Sequence, residues 1–112
     1  MGLRLAGVIF LAIAALASAP GAQAADPTFS LTLKDHRFTP AEVTIPANTR
    51  VRFLVKNLDA TPAEFEGINF KAEKIIPAGK EATILIGPLK PGTYEFFDEF
   101  HGAASKSRLI VQ

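Results

Sequence analysis

The sequence contains no cysteine and no tryptophan, and its one methionine is Met1. Without cysteine there can be no disulfide, no zinc–thiolate or iron–sulfur site, no thiol redox chemistry and no lipid on a cysteine. Histidine is scarce: only His36 and His101 are present. Charge of one sign is lacking as well, with 12 Lys and Arg against 11 Asp and Glu. Such a balance does not suggest a nucleic-acid surface or a polybasic membrane patch. There is no G-x-S-x-G nucleophile elbow and no glycine-rich phosphate loop, so the common signatures of acyl and phosphoryl transfer are missing. No catalytic residue is assigned.

Long apolar runs are missing too, with one exception. Arg4 precedes the run Leu5–Ala17, and the small-residue pattern Ala22-Gln23-Ala24 follows it. This is the form of a secretory signal peptide, residues 1–24, cut after Ala24. The run is short of the roughly 20 apolar residues that span a bilayer. The expectation is therefore a single domain over residues 25–112, exported to the periplasm, with no stable membrane insertion after cleavage and no nucleic-acid partner. A small exported domain without disulfides must rest on its core alone, and the material is present as eight of the chain's nine Phe.

After residue 24 the hydrophobic pattern has period two. Phe29, Leu31 and Leu33 alternate with polar residues; so do Val43 and Ile45, then Val51, Phe53 and Val55, then Ile84 and Ile86, then Tyr94 and Phe96, then Leu109 and Val111. Turn residues break the runs at Pro46-Ala47-Asn48, Pro77-Ala78-Gly79 and Lys90-Pro91-Gly92. Short alternating strands with turns every eight to twelve residues predict an all-β antiparallel sandwich or barrel. Thr61-Pro62-Ala63-Glu64 has the form of a helix capping box, but Gly67 and Asn69 are poor helix residues. A strand over Ala63–Phe70 is favoured, and it puts Glu64 and Glu66 on one face and Phe65 on the other.

The polar residues that could carry chemistry are few: His36, Glu64, Glu66, Glu73, Asp98, Glu99 and His101. Carboxylates with imidazole suit iron, copper(II), manganese or zinc. The competing reading is a solvated acidic face, with Glu73 paired to Lys71 or Lys74 and His36 in a charged surface turn. A glycosidase pair at Glu64 and Glu66 would need a larger cleft than so small a sandwich provides. The stretch Tyr94–His101, YEFFDEFH, is unusual in joining aromatic rings to acids.

The order FTPAEVTIPA at 38–47, VRFLVKN at 51–57 and GTYEFFDEFH at 92–101 resembles a cupredoxin, and the resemblance covers the chain from about Phe29 to Gln112. It implies a Greek-key β-sandwich in which Tyr94–Phe97 forms a core strand and Asp98–His101 a loop at its end. In that family a late Y-x-F-x-C-x-x-H loop carries two copper ligands. Here Asp98 stands at the cysteine position, His101 keeps the histidine, Ser105–Ser107 occupy the methionine region, and Ala63 or Glu64 replaces the first histidine. A blue-copper centre depends on copper–thiolate bonding and is excluded.

AEFE at 63–66, AEKIIPAGK at 72–80 and PLKPGTYEFFDEFH at 88–101 resemble, more narrowly, the cupredoxin-like proteins of bacterial iron uptake, including the N-terminal domain of EfeO-like periplasmic proteins. That resemblance implies a non-blue site for iron and/or copper, with Glu64, Glu66, Asp98, Glu99 and His101 as ligands and Glu73 and His36 beside them. It implies a membrane iron permease and other periplasmic iron-uptake components as partners, and an accessory role in ferrous-iron oxidation. Two other readings remain: a copper(II) carrier, and a metal-free sandwich that uses its acids for protein contacts.

Overall fold

The computed structural model describes residues 26–112, and the signal-peptide expectation lies outside them. Nine strands follow one another: β1 Thr28–Lys34, β2 Arg37–Thr39, β3 Glu42–Ile45, β4 Val51–Asn57, β5 Ala63–Gly67, β6 Glu73–Ile76, β7 Glu81–Ile86, β8 Gly92–Asp98 and β9 Gly102–Val111. They form two sheets, one of four strands in the order β2-β1-β4-β7 and one of five in the order β3-β9-β8-β5-β6. The all-β sandwich is as expected. Most pairings are antiparallel, while β1–β4 and β3–β9 run parallel. No helix among the described residues is long and apolar enough to cross a membrane.

The period-two pattern explains which face of each strand is buried. On β4, Val51, Phe53 and Val55 are buried while Arg52 and Lys56 are exposed. On β5, Ala63 and Phe65 point inward, and Glu64 and Glu66 outward. Four buried rings meet between the sheets. Phe65 and Phe96 stack with centroids 5.0 Å apart, and Phe38 and Phe53 pack edge-on against them at 5.2–6.0 Å. Each buried Phe contributes about 1.5–3 kcal/mol, which is how a domain without cysteine holds together.

Two local expectations are corrected. The strand at 63–70 stops at Gly67, because the chain turns back there: a Cβ on Gly67 would lie 2.5 Å from the Phe70 carbonyl oxygen. As favoured over the capping-box helix, this segment forms a strand. The turn at Lys90-Pro91-Gly92 leads from β7 of one sheet to β8 of the other, and Gly92 is already in register with Val111. Of the aromatics in β8, Phe96 is fully buried, but Phe97 lies on the outer face in register with Glu66, and Tyr94 is half-buried against Phe70. Two short strands, β2 and β6, carry too few residues to show a period.

Candidate metal centre

Asp98 is the last residue of β8 and is fully buried. It is therefore a strand residue rather than a loop residue. One of its oxygens, Oδ1, accepts the backbone N–H of Glu64 at 2.9 Å and of Phe100 at 3.0 Å. The other, Oδ2, lies 2.6 Å from His101 Nδ1. A carboxylate so close places the proton on Nδ1 and leaves Nε2 as the nitrogen able to bind a cation, the arrangement typical of metal-binding histidines. Asp98 thus orients His101. A register shift between Phe96 and Asp98 and the Ser105 hydroxyl, which accepts the Asp98 N–H at 2.7 Å, set this strand end.

His36 reaches the same place from the other sheet. It occupies the two-residue turn between β1 and β2, where Asp35 and His36 both have left-handed φ, 51° and 62°. Such a turn matches the twist of a hairpin but is costly for residues other than glycine. Asp59 offsets that cost by accepting the N–H of Asp35 at 2.6 Å and of His36 at 2.9 Å. Burial raises the Asp59 pKa, but these two N–H groups and the nearby histidines outweigh it, so the carboxyl lies below its ordinary range. Its own N–H is held by Asn57, which is fully buried and donates to the Thr61 and Ile76 carbonyls. The result is a ring stack: His36 and His101 have centroids 3.7 Å apart and planes 14° apart. His36 Nδ1 is buried without a hydrogen-bond partner; Asp59 Oδ2 is 3.4 Å away, an electrostatic contact only.

The remaining candidates assemble on the outer face of the five-stranded sheet. Glu64 and Glu66 share that face of β5, and Glu66 is directly opposite Glu73 on β6. Glu99 joins them because its N–H donates to the Glu64 carbonyl at 2.8 Å. Each of the four offers an oxygen within 4.8 Å of the others, and in a second group a ring nitrogen of His36, a ring nitrogen of His101 and an oxygen of Asp98 lie within the same distance of one another. The seven residues therefore form two groups back to back, divided where Asp98 turns inward and Glu99 outward. Glu73 has no ion pair with Lys71 or Lys74.

Four carboxylates this close cannot all ionise freely. A proton shared with Glu99, together with burial and the neighbouring charges, pushes Glu66 up to about 7 and raises Glu64. Glu99, on the accepting side of those contacts, is lowered. One oxygen of Glu66 is buried without a partner. Both groups suit cations: oxygen donors on the outer face, imidazole at the strand end. Neither could hold a copper–thiolate centre, since cysteine is absent. Asp59 and Asn57, which position His36, were missed in the sequence reading of the site. Asn57 closes the VRFLVKN motif, but nothing in the sequence marks Asp59.

The chain belongs to the cupredoxin-like domain family, whose model matches residues 7–111. It is 40% identical over 81 residues to an uncharacterized protein of Rickettsia prowazekii (strain Madrid E), covering 72% of this chain and 65% of that one. This chain thus spans less than two thirds of that relative. Among solved structures it is similar to auracyanin A, a "blue" copper protein from Chloroflexus aurantiacus, with a TM-score of 0.70 and 14% identity over 79% of this chain and 100% of that one. It is similar to a purple cupredoxin from Nitrosopumilus maritimus, with a TM-score of 0.57 and 16% identity over 78% and 100%. The metal-binding domain of the Streptococcus pneumoniae Cu(I)-exporting ATPase CopA gives a TM-score of 0.59 and 14% identity over 76% and 84%. At these identities the structural likeness establishes the fold.

Proposed function

We propose that this chain is an exported, periplasmic metal-binding component of a ferrous-iron uptake system. It takes iron at Glu64, Glu66, Glu73 and Glu99 and passes it to a membrane permease. The observation that carries this reading is the convergence of the four carboxylates, with one proton held near neutral pH where a cation could replace it. Oxygen donors of this kind select hard cations. Their summed negative charge favours Fe(III) over Fe(II), because the higher charge gains more from the same field. The site would therefore lower the reduction potential of the iron it binds, so that Fe(II) gives its electron more readily to an external one-electron acceptor, while His101, held by Asp98, offers a separate imidazole ligand.

The test is anaerobic equilibration of residues 25–112 with equal Fe(II) and Cu(II), followed by desalting and metal counting. Iron retained by the native protein and lost in the Glu64→Gln/Glu66→Gln/Glu99→Gln variant supports the assignment. Iron retained equally by that variant refutes it. Copper retained alone favours the second reading, a copper(II) carrier. That reading is supported by the imidazole at the strand end and by the general preference of mixed nitrogen–oxygen sites for copper. Retention of neither metal leaves the acids as a protein-contact surface.

A further inference from the structure

The near-zero total charge conceals a segregation that appears only when the sheets are assembled. Register sets the outward face of the four-stranded sheet row by row. Thr28, Arg52 and Leu85 lie side by side; Ser30, Leu54 and Thr83 form the next row; Thr39, Thr32, Lys56 and Glu81 the next; and Lys34 faces Arg37 at the end. These residues are exposed, apart from the half-buried Leu54. Lys34, Arg37, Arg52 and Lys56 thus share one face with a single strand acid, Glu81. Asp35 sits at one end in the turn, and Asp26 at the other is already paired with Arg50 at 2.8 Å.

The opposite face of the sandwich has the reverse sign. Glu42, Glu64, Glu66, Glu73, Glu95 and Glu99 point outward from the five-stranded sheet against Lys106 and Arg108. Arg108 is itself occupied by Glu42 at 3.3 Å. The sandwich is therefore an electrical bilayer, cationic on one side and anionic on the other.

We infer that the cationic face of the four-stranded sheet docks on an anionic phospholipid surface and turns the acidic face away from it. Two observations favour lipid. Neighbouring strands are about 4.8 Å apart, so the four cations are spread over a broad sheet face rather than gathered in a groove, as suits laterally mobile headgroups. Leu85 stands half-exposed among them, beside Arg52, where it can enter the boundary below the headgroups. The binding is peripheral and weak, since each Lys or Arg near an anionic membrane contributes about 1 kcal/mol. It does not draw on the metal reading.

The strands and the core described above lie within residues 26–112, and the chain from Ala25 onward, as expected after signal cleavage, is the protein to test. It would be sedimented with vesicles of phosphatidylglycerol and phosphatidylcholine, and with phosphatidylcholine alone. The expected result is binding to the anionic vesicles at low salt, loss of binding near 0.5 M salt as screening shortens to a few ångströms, and none to the neutral vesicles. Arg52→Gln/Lys56→Gln should lower the partition about 30-fold, at about 1 kcal/mol per charge. Lys106→Gln/Arg108→Gln, two cations of the other face, should leave it within about twofold, because that face is turned away. Equal loss in both variants would overturn the proposal. So would capture by soluble polyglutamate without capture by vesicles, which would make the partner an acidic protein surface. Circular dichroism of both variants separates loss of binding from loss of fold.

Discussion

His36 and His101 stack face to face, with centroids 3.7 Å apart, although they come from different sheets. An imidazole binds a metal along its ring plane. Two nearly parallel rings therefore do not aim their lone pairs at one point, and the stack as it stands is not a two-histidine chelate. His101 is the better-held ligand, because the fully buried Asp98 fixes its Nδ1. We expect His101→Ala to remove nitrogen hyperfine coupling from the electron paramagnetic resonance spectrum of bound Cu(II), and His36→Ala to leave it. Coupling that vanishes only in the His36 variant would reverse these roles.

Asp98 supports the fold as well as the site. Asp98→Ala strips the acceptor from two backbone N–H groups and from His101. Leaving buried donors unsatisfied costs about 1–3 kcal/mol each. Urea denaturation should therefore show a loss of at least about 2 kcal/mol in the apo protein, with Asp98→Asn losing less because one acceptor oxygen remains.

The carboxylate cluster should make apo stability depend on pH with an unusual sign. Folded Glu66 holds its proton to about pH 7, whereas the ordinary value is 4.5. Between those values the folded state binds more protons than the unfolded state, so stability falls as pH rises across that window. Glu64 acts in the same direction; the lowered Glu99 acts oppositely, its contribution being lost as pH falls through the acid range. Thermal melts from pH 4.5 to 7.5 should show Tm declining, and Glu66→Gln should flatten the decline. A rise in Tm across the window in the native protein would contradict the shared proton.

The same proton should be released when a cation binds. Metal affinity should strengthen from pH 6 to pH 8, with proton uptake by the buffer visible in calorimetry. In Glu66→Gln both the affinity and its pH dependence should drop. Metal binding without proton release would place the ion elsewhere.

Phe96 stacks on Phe65 and meets Phe38 and Phe53 edge-on at full burial. Phe96→Ala should cost about 3–5 kcal/mol. Phe97→Ala, one residue on and on the outer face, should cost much less. Similar losses from the two would mean that the faces of β8 are misassigned.

Much of the fold can be read from alternation alone. Phe53 and Val55, Phe65, Phe96, Leu109 and Val111 each announce a strand with one buried face, because side chains repeat every two residues. Glu64 and Glu66 share a face for the same reason. Pairing was not legible: period two does not distinguish a parallel neighbour from an antiparallel one, so β1–β4 and β3–β9 had to be seen. The resemblance to cupredoxins picked out the late aspartate and histidine, but it could not show that Asp98 is turned inward to hold His101 while Glu99 faces out.

By itself, then, the sequence determined the class of fold, the exclusion of thiolate chemistry and the donor types available, since these follow from composition and local periodicity. Tertiary structure alone decided which donors meet. Glu73 comes opposite Glu66 through the register of β5 and β6. His36 and His101 lie far apart in the chain and touch because Asp59, anchored by Asn57, holds a strained turn over the end of β8. Tertiary structure also decided the charge of each face. A sum over residues is blind to position, whereas the electric field of the folded protein depends on it.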